Sequence, residues 1–356
     1  MKKLENLRGT IKKLDIDGLI VTNPFNRQYL TGFTGTAGMV LISQTEAKFL
    51  TDFRYNDQAK EEVKDYEVII CKGSETLLKS VFDQINRMDL CTVGFESTDV
   101  SFDLYSQFEK NLEIRMKPTK SIIEEMRMIK TDEEIQKIKT AAEITDKTFK
   151  HILTFIKPGI TELDLSHEIE YFMRKQGATT NASARIIVAS GYRSAYPHGG
   201  ASSKVIENGD IITFDFGAQY QGYASDMTRT VAVGEPNSKL KEIYQIVYDA
   251  LELSLNTLQP GMSCREGDAI ARDYITAKGY GEYFGHGGGH GIGLEIHEDP
   301  YFSKSSKQVL APGMVVTVEP GIYIPGLGGV RIEDDVLIKS DGIEILTHSP
   351  KDLIII

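Results

Sequence analysis

The stretch Asn208–Arg229, NGDIITFDFGAQYQGYASDMTR, is answered later in the chain by Pro312–Asp335, PGMVVTVEPGIYIPGLGGVRIEDD. Gly209, Thr213, Gly217 and Gly222 recur as Gly313, Thr317, Gly321 and Gly326, and Asp215 recurs as Glu319. Each segment reads as an apolar strand, a turn and a second strand, and each carries acids inside its apolar runs. Burying a lone carboxylate is costly unless a partner charge or a metal ion sits against it. Asp215, Asp226, Glu319 and Glu333, in two matched hairpins, therefore point to a cation site between them.

Opposed residues in an antiparallel pair are numbered symmetrically about the turn. A two-residue turn at Tyr220-Gln221 is expected to set Asp215 directly opposite Asp226. A turn centred on Gly326, within IPGLGG, sets Glu319 opposite Glu333. Like charges directly opposed destabilise a sheet, so each hairpin holding two acids on one face calls for a counter-ion.

The chain has 356 residues and a formal net charge of -11, which argues against nonspecific nucleic-acid binding. Its length suggests two domains. Three cysteines, Cys71, Cys91 and Cys264, without CxxC spacing, read as reduced thiols of a cytoplasmic protein. The first residues, MKKLENLRGTIKKL, lack the apolar core of a signal peptide, and no run is long and apolar enough for a membrane span.

Residues 1–121 read as an α/β unit with a mixed sheet flanked by helices. Leu4–Leu14 has helical spacing. Gly18–Thr22, Met39–Ser43, Ala47–Thr51, Val68–Cys71 and Thr92–Phe95 are short strand-like runs, with a polar helical stretch near Tyr55–Lys64. NPFNRQYLTGFTG reads as a loop, and Arg27, Asp52, Arg54 and Asp57 as surface or interface charges. The chain turns polar around Lys117–Ser121, and a second domain is placed at 122–356. There Thr131 and Glu134 form a capping box for a long helix.

A second repeat lies inside this domain. KPGITELDLSHEIEYFMRKQG (Lys157–Gly177) is matched by QPGMSCREGDAIARDYITAKG (Gln259–Gly279). Each copy is a Pro-Gly break, a capped helix and a Gly stop, and each precedes one acid-bearing hairpin. The domain thus reads as two copies of one α/β unit about a pseudo-two-fold, with a ligand cleft between them. GHGGGHGIGLEIHEDP places His286, His290 and His297 between the second helix pair and the second hairpin. His198 sits in the turn-rich SAYPHGG of the first copy. Arg331 lies two residues before Glu333, so strand alternation puts both on one face.

Five motifs now coincide in order: DFG, the second Asp in SDMTRT, HGxGxxxHE, EPG and RIED. With them, residues 122–356 resemble the pita-bread metallopeptidases, the group of methionine aminopeptidase, prolidase and aminopeptidase P. NPFNRQYLTGF and FLTDFRY resemble the N-terminal domain shared by prolidases, aminopeptidases P and creatinase. The resemblance implies an α/β (α+β) architecture of a creatinase-like N-terminal domain and a pita-bread catalytic domain. It implies metal ligands Asp215, Asp226, His290, Glu319 and Glu333, with Asp226 and Glu333 bridging two ions. It further implies a substrate site with His198, His297 and Arg331, and Glu319 as general base and then acid. His286 is expected beside the site. The chain departs from the pattern at Ala184 and Arg185, where relatives often carry an aromatic and an acid.

The oxygen-rich ligand set favours a hard divalent ion such as Mn²⁺, with Co²⁺, Zn²⁺ or Fe²⁺ compatible. The expected activity is cleavage of the Xaa-Pro bond of dipeptides or short peptides by a homodimeric dipeptidase. The alternatives are an aminopeptidase P acting on Xaa-Pro-Yaa, a creatinase-like C–N hydrolase and a catalytically silent binding module. Creatinase lacks the metal ligands that all stand here, and silent relatives usually lose them.

Overall fold

The computed structural model describes residues 2–71 and 76–356. The chain divides into two compact units, Met1–Arg127 and Met128–Ile356.

The first unit is built on a mixed six-stranded sheet. Its strands are β1 (Gly18–Val21), β2 (Met39–Ser43), β3 (Ala47–Thr51), β4 (Glu67–Ile70), β5 (Thr92–Glu96) and β6 (Arg115–Thr119), in the order β4-β3-β2-β1-β5-β6. The helices are α1 (Lys2–Lys13), α2 (Pro24–Thr31), α3 (Asn56–Glu62), α4 (Leu77–Arg87), α5 (Phe102–Asn111) and α6 (Ile122–Met128). Two apolar clusters form, one holding Leu7, Ile11 and Phe49, the other Val81, Ile85 and Phe108.

Three local expectations are corrected here. NPFNRQYLTGFTG holds the helix α2. Asn23 caps it by accepting from the amides of Phe25 and Asn26, Pro24 occupies the first turn, and Gly32 ends it at φ 79°. An Asn-Pro pair is a helix start as readily as a turn. Arg27 is buried, not superficial: its guanidinium donates to the carbonyls of Gly35 and Gly38. The polar stretch near Lys117 is the strand β6, and its Pro118 is tolerated because β6 is an edge strand.

The second unit is internally duplicated. Helices α7 (Asp132–Ile152) and α8 (Glu162–Lys175) precede β7 (Thr180–Asn181), β8 (Ile187–Ser190), β9 (Ile211–Phe216), β10 (Ala218–Tyr220), β11 (Tyr223–Ala224) and β12 (Met227–Ala232). Helices α9 (Ser238–Thr257) and α10 (Cys264–Ala277) precede β13 (Gly289–Gly291), β14 (Glu298–Phe302), β15 (Val315–Val318), β16 (Gly321–Ile324), β17 (Gly328–Arg331), β18 (Asp334–Lys339) and β19 (Gly342–Ile345).

The copies agree in detail. Thr131 caps α7 with Glu134, Thr161 caps α8 with Asp164, and Ser263 caps α10 with Glu266, all as full capping boxes. Thr161 bridges to Val205, and Ser263 bridges to Val309. The amide of Gly159 donates to Ile206 O and that of Gly261 to Leu310 O. Each copy has its own apolar core, one around Phe149, Phe214 and Phe216, the other around Val247, Leu251 and Val316.

Register distinguishes the two hairpins. Gly321 pairs with Arg331 and Val315 with Leu337, so the second hairpin is centred on Gly326 as expected, and its numbering sets Glu319 opposite Glu333. The first hairpin is not centred where the sequence suggested. Tyr220 pairs with Tyr223, so the turn is Gln221-Gly222, and Asp215 faces Thr228 instead of Asp226. Gln221 and Gly222 both take positive φ, 49° and 86°, which suits the twist of a two-residue hairpin. The shift is two residues, so side chains stay on the same face. Asp215 and Asp226 become diagonal neighbours.

Candidate metal centre

Five side chains converge where the two hairpins of the second unit meet. Asp215 stands on β9, Asp226 just before β12, His290 on β13, Glu319 just after β15 and Glu333 between β17 and β18. His290, Glu319 and Glu333 offer ligand atoms within 4.8 Å of one another, and so do Asp215, Asp226 and Glu333. His290 Nε2 lies 3.7 Å from Glu319 Oε1 and 3.8 Å from Asp226 Oδ2. Donor atoms bound to one ion at about 2.0–2.3 Å stand about 3–4 Å apart. Two such groups sharing Glu333 suit two ions side by side. A third group joins His297 to Asp226 and His290, and the His290 and His297 rings lie 4.4 Å apart.

The electrostatics ask for cations. Burial, then Glu333, Asp215 and other nearby acids, push the Asp226 carboxyl well above its ordinary range. Glu319 is raised likewise by burial, with Glu333 and Asp215 adding and Arg331 opposing. Glu333 is pushed to about 7, first by burial and then by Asp215. Asp226 Oδ1 is buried without a hydrogen-bond partner among the described residues. An orphaned buried carboxylate oxygen inside a cluster of acids is what a divalent ligand set leaves behind. Burial also drives His290 down to about 4, assisted by His297, so its imidazole stays neutral and able to ligate.

The surrounding groups are fixed. Arg331 donates from Nε to Thr228 Oγ1 at 3.0 Å, from Nη1 to Tyr323 OH at 2.7 Å and Pro197 O at 3.2 Å, and pairs through Nη2 with Asp215. Tyr323 OH also lies 2.9 Å from His286 Nε2, while His286 Nδ1 faces Gly287 O at 2.8 Å. Those partners assign the Nδ1–H tautomer to His286, so Tyr323 donates to Nε2. Burial, then Arg331, lowers His286 to about 4. His198 and His297 line the same cavity, of about 350 Å³, from its exposed side.

Two glycines of GHGGGHG follow from close approach. A side chain at Gly289 would collide with Thr317 O of β15, and one at Gly291 with Asp299 O.

The acids are less symmetric than the sequence suggests. With Asp215 matching Glu319, register matches Glu333 to Thr228 and Asp226 to Arg331. Only one acid pair is related by the pseudo-two-fold. Three further residues escape sequence reading. Glu162, fully buried at the start of α8, accepts from the amides and hydroxyls of Ser190 and Ser202 and pairs with Arg193. It thereby ties down the loop that carries His198. Tyr323 links Arg331 to His286. Asp335 accepts from the Asp226 amide at 2.9 Å. The run of charge in RIEDD, buried in an apolar strand, was the available signal for Asp335; Glu162 and Tyr323 had none.

Residues 136–340 match the metallopeptidase family M24, and residues 3–129 match the creatinase/prolidase N-terminal domain. The chain belongs to metallopeptidase family M24, with the pita-bread fold of its catalytic domain. A structure titled Xaa-Pro dipeptidase from Bacillus anthracis is 53% identical, with a TM-score of 0.97 over 100% of this chain and 99% of that one. The Xaa-Pro dipeptidase of Pyrococcus furiosus is 40% identical over 99% of both chains. The structure of an X-Pro aminopeptidase from Thermotoga maritima is 40% identical, with a TM-score of 0.90, covering 99% of this chain and 100% of that one. No helix among the described residues is long and apolar enough to cross a membrane.

Proposed function

We propose that this chain hydrolyses the Xaa-Pro peptide bond of dipeptides and short peptides, with Asp215, Asp226, His290, Glu319 and Glu333 holding two divalent ions. The observation that carries the reading is the convergence of these five groups in one cavity with an orphaned carboxylate oxygen. The related proteins named for Xaa-Pro cleavage support the substrate class. Mn²⁺ suits a set of four carboxylates and one imidazole. The same reading takes the protein as a cytoplasmic homodimer.

Bound there, two dications supply Lewis acidity, polarising a water and the scissile carbonyl. The residues do the rest. Glu319 takes the proton of the attacking water and delivers it to the prolyl nitrogen. That nitrogen belongs to a tertiary amide without N–H, so it leaves only once protonated. His297 faces the developing oxyanion, and His198 holds the substrate from the open side. Arg331, filled by Asp215, Tyr323 and Thr228, sets the position of Asp215.

The test is hydrolysis of Ala-Pro and Ala-Pro-Ala by the full chain with added Mn²⁺, before and after chelation. Chelation should abolish turnover and Mn²⁺ should restore it. Turnover that survives chelator, with no metal retained by elemental analysis, overturns the reading. The aminopeptidase alternative has one observation in its favour: a second cavity opens beside the metal centre.

A further inference from the structure

That second cavity, of about 620 Å³, shares Ser183 and His198 with the metal cavity, so the two communicate. Two guanidinium groups line it. Arg193 is already neutralised by Glu162 and donates to Gly200 O at 2.9 Å. Arg185 differs. Its backbone is pinned, the amide donating to Ser183 Oγ at 3.1 Å and the carbonyl accepting from that hydroxyl at 2.7 Å. Its guanidinium has no hydrogen-bond or ion-pair partner among the described residues. The cavity's Glu170 is paired with Arg174.

The position of Arg185 relates it to the reaction. Ile187, two residues on, lies directly opposite Asp215 in the β8–β9 pair. Residues 182–185 form a bend just before β8, and two residues of chain span at most about 7 Å. Arg185 therefore stands one step outside the metal centre, along the wall that Ser183 and Ile187 form. Arg331, the guanidinium inside the metal cavity, has donors from all three nitrogens engaged. Among the described residues lining the two cavities, Arg185 is the unneutralised guanidinium.

A peptide lying across the site has a cationic amino end and an anionic carboxyl end. The amino end is drawn to the acids of the metal centre, and the carboxyl end points away. A dipeptide spans at most about 7 Å, so its carboxylate stays close to the metal centre that draws its amino end. A third residue extends the reach to about 10 Å, toward the outer cavity that shares Ser183 and His198 with the metal cavity. We propose that Arg185 is a specificity residue that binds the C-terminal carboxylate of Xaa-Pro-Yaa tripeptides in the outer cavity. This rests on the function proposed above. A guanidinium pairs with a carboxylate through two parallel hydrogen bonds, so Arg185 favours a free acid over the amide.

The experiment compares wild type with Arg185→Ala and Arg185→Lys on Ala-Pro, Ala-Pro-Ala and Ala-Pro-Ala amide, all with Mn²⁺. The expected result is a KM for Ala-Pro-Ala raised about tenfold in Arg185→Ala, with kcat kept and part of the affinity restored by lysine. Ala-Pro and the amide should be unchanged, which also shows that the variant is folded. Equal KM for Ala-Pro-Ala in wild type and Arg185→Ala overturns the proposal, as does an equal loss on acid and amide. Failure of wild type to cleave any of the three refutes the function reading alone. Calorimetric binding of the acid and amide peptides to wild type and Arg185→Ala then decides the role of Arg185 by the same criterion.

Discussion

Thr228 donates a 2.6 Å hydrogen bond to Glu333, and the two occupy equivalent register positions in the two halves of the second unit. Where one hairpin has a carboxylate, the other supplies the hydroxyl that orients it. The same hydroxyl accepts from Arg331 Nε. Groups that orient metal ligands typically contribute a factor of about 10–100 in metal affinity. Thr228→Val keeps shape and loses both bonds. It should weaken Mn²⁺ binding about tenfold by calorimetry while melting within a few degrees of wild type.

The crowding of acids makes opposite demands on the metal-free and loaded protein. Asp226→Asn removes a buried charge whose burial and neighbours disfavour it. The metal-free variant should melt above metal-free wild type. With Mn²⁺ the order should reverse, because wild type alone gains the full linkage stabilisation, about 2.7 kcal/mol at a hundredfold excess over Kd. Calorimetric melts with and without chelator read both.

Glu162 is fully buried and accepts from five donors on either side of His198, from Ser190, Arg193 and Ser202. Glu162→Gln replaces an acceptor oxygen by a donor and leaves Arg193 without its counter-charge. Breaking a buried pair costs about 3–5 kcal/mol. Urea unfolding should show a loss of that order, and KM for Ala-Pro should rise more than kcat falls.

The first unit carries its own pH sensitivity. Burial raises the Glu96 carboxyl to about 7, against the bonds it accepts from Thr22, Asn23 and Asn26. Its folded pKa lies above the unfolded value of 4.5. Its contribution is therefore fully present below about 4.5 and is lost as pH rises through about 7. Between pH 5 and pH 8 the loss amounts to about 2 kcal/mol. Urea titrations of metal-free wild type and Glu96→Gln should differ by that amount across this range, the difference separating Glu96 from the metal-centre carboxyls that titrate alongside it.

How far the residues alone disclosed this structure depends on the range of the forces involved. The second hairpin was legible because Pro325 and Gly326 fix its turn, and Gly326 takes φ 78°. The first was misplaced because Gln221 adopts a left-handed conformation that glutamine rarely takes. The four acids of the hairpins still fall together, since a two-residue slip preserves the face, and His290, which the resemblance supplied, stands beside them. The duplicated helices were readable from capping pairs and glycine stops, which act within a few residues. Glu162 was not, because its partners lie 28–40 residues along the chain; Arg27 and Tyr323 were not, because their partners, though nearer, are met only through the fold, and nothing local separates a buried polar group from a surface one. NPFNRQYLTGFTG was misread as a loop because a helix cap and a turn share the same residue types.

Arg229 and Asp334 are also counterparts by register, and they form a buried ion pair 2.7 Å long. Were the two halves separate, identical chains assembled about a true dyad, each of these positions would face its own copy. A guanidinium would then meet a guanidinium, or a carboxylate a carboxylate. The opposite charges therefore require that the copies differ at this position. The pair thus admits one complementary arrangement of the two repeats, which neither repeat could form with a copy of itself.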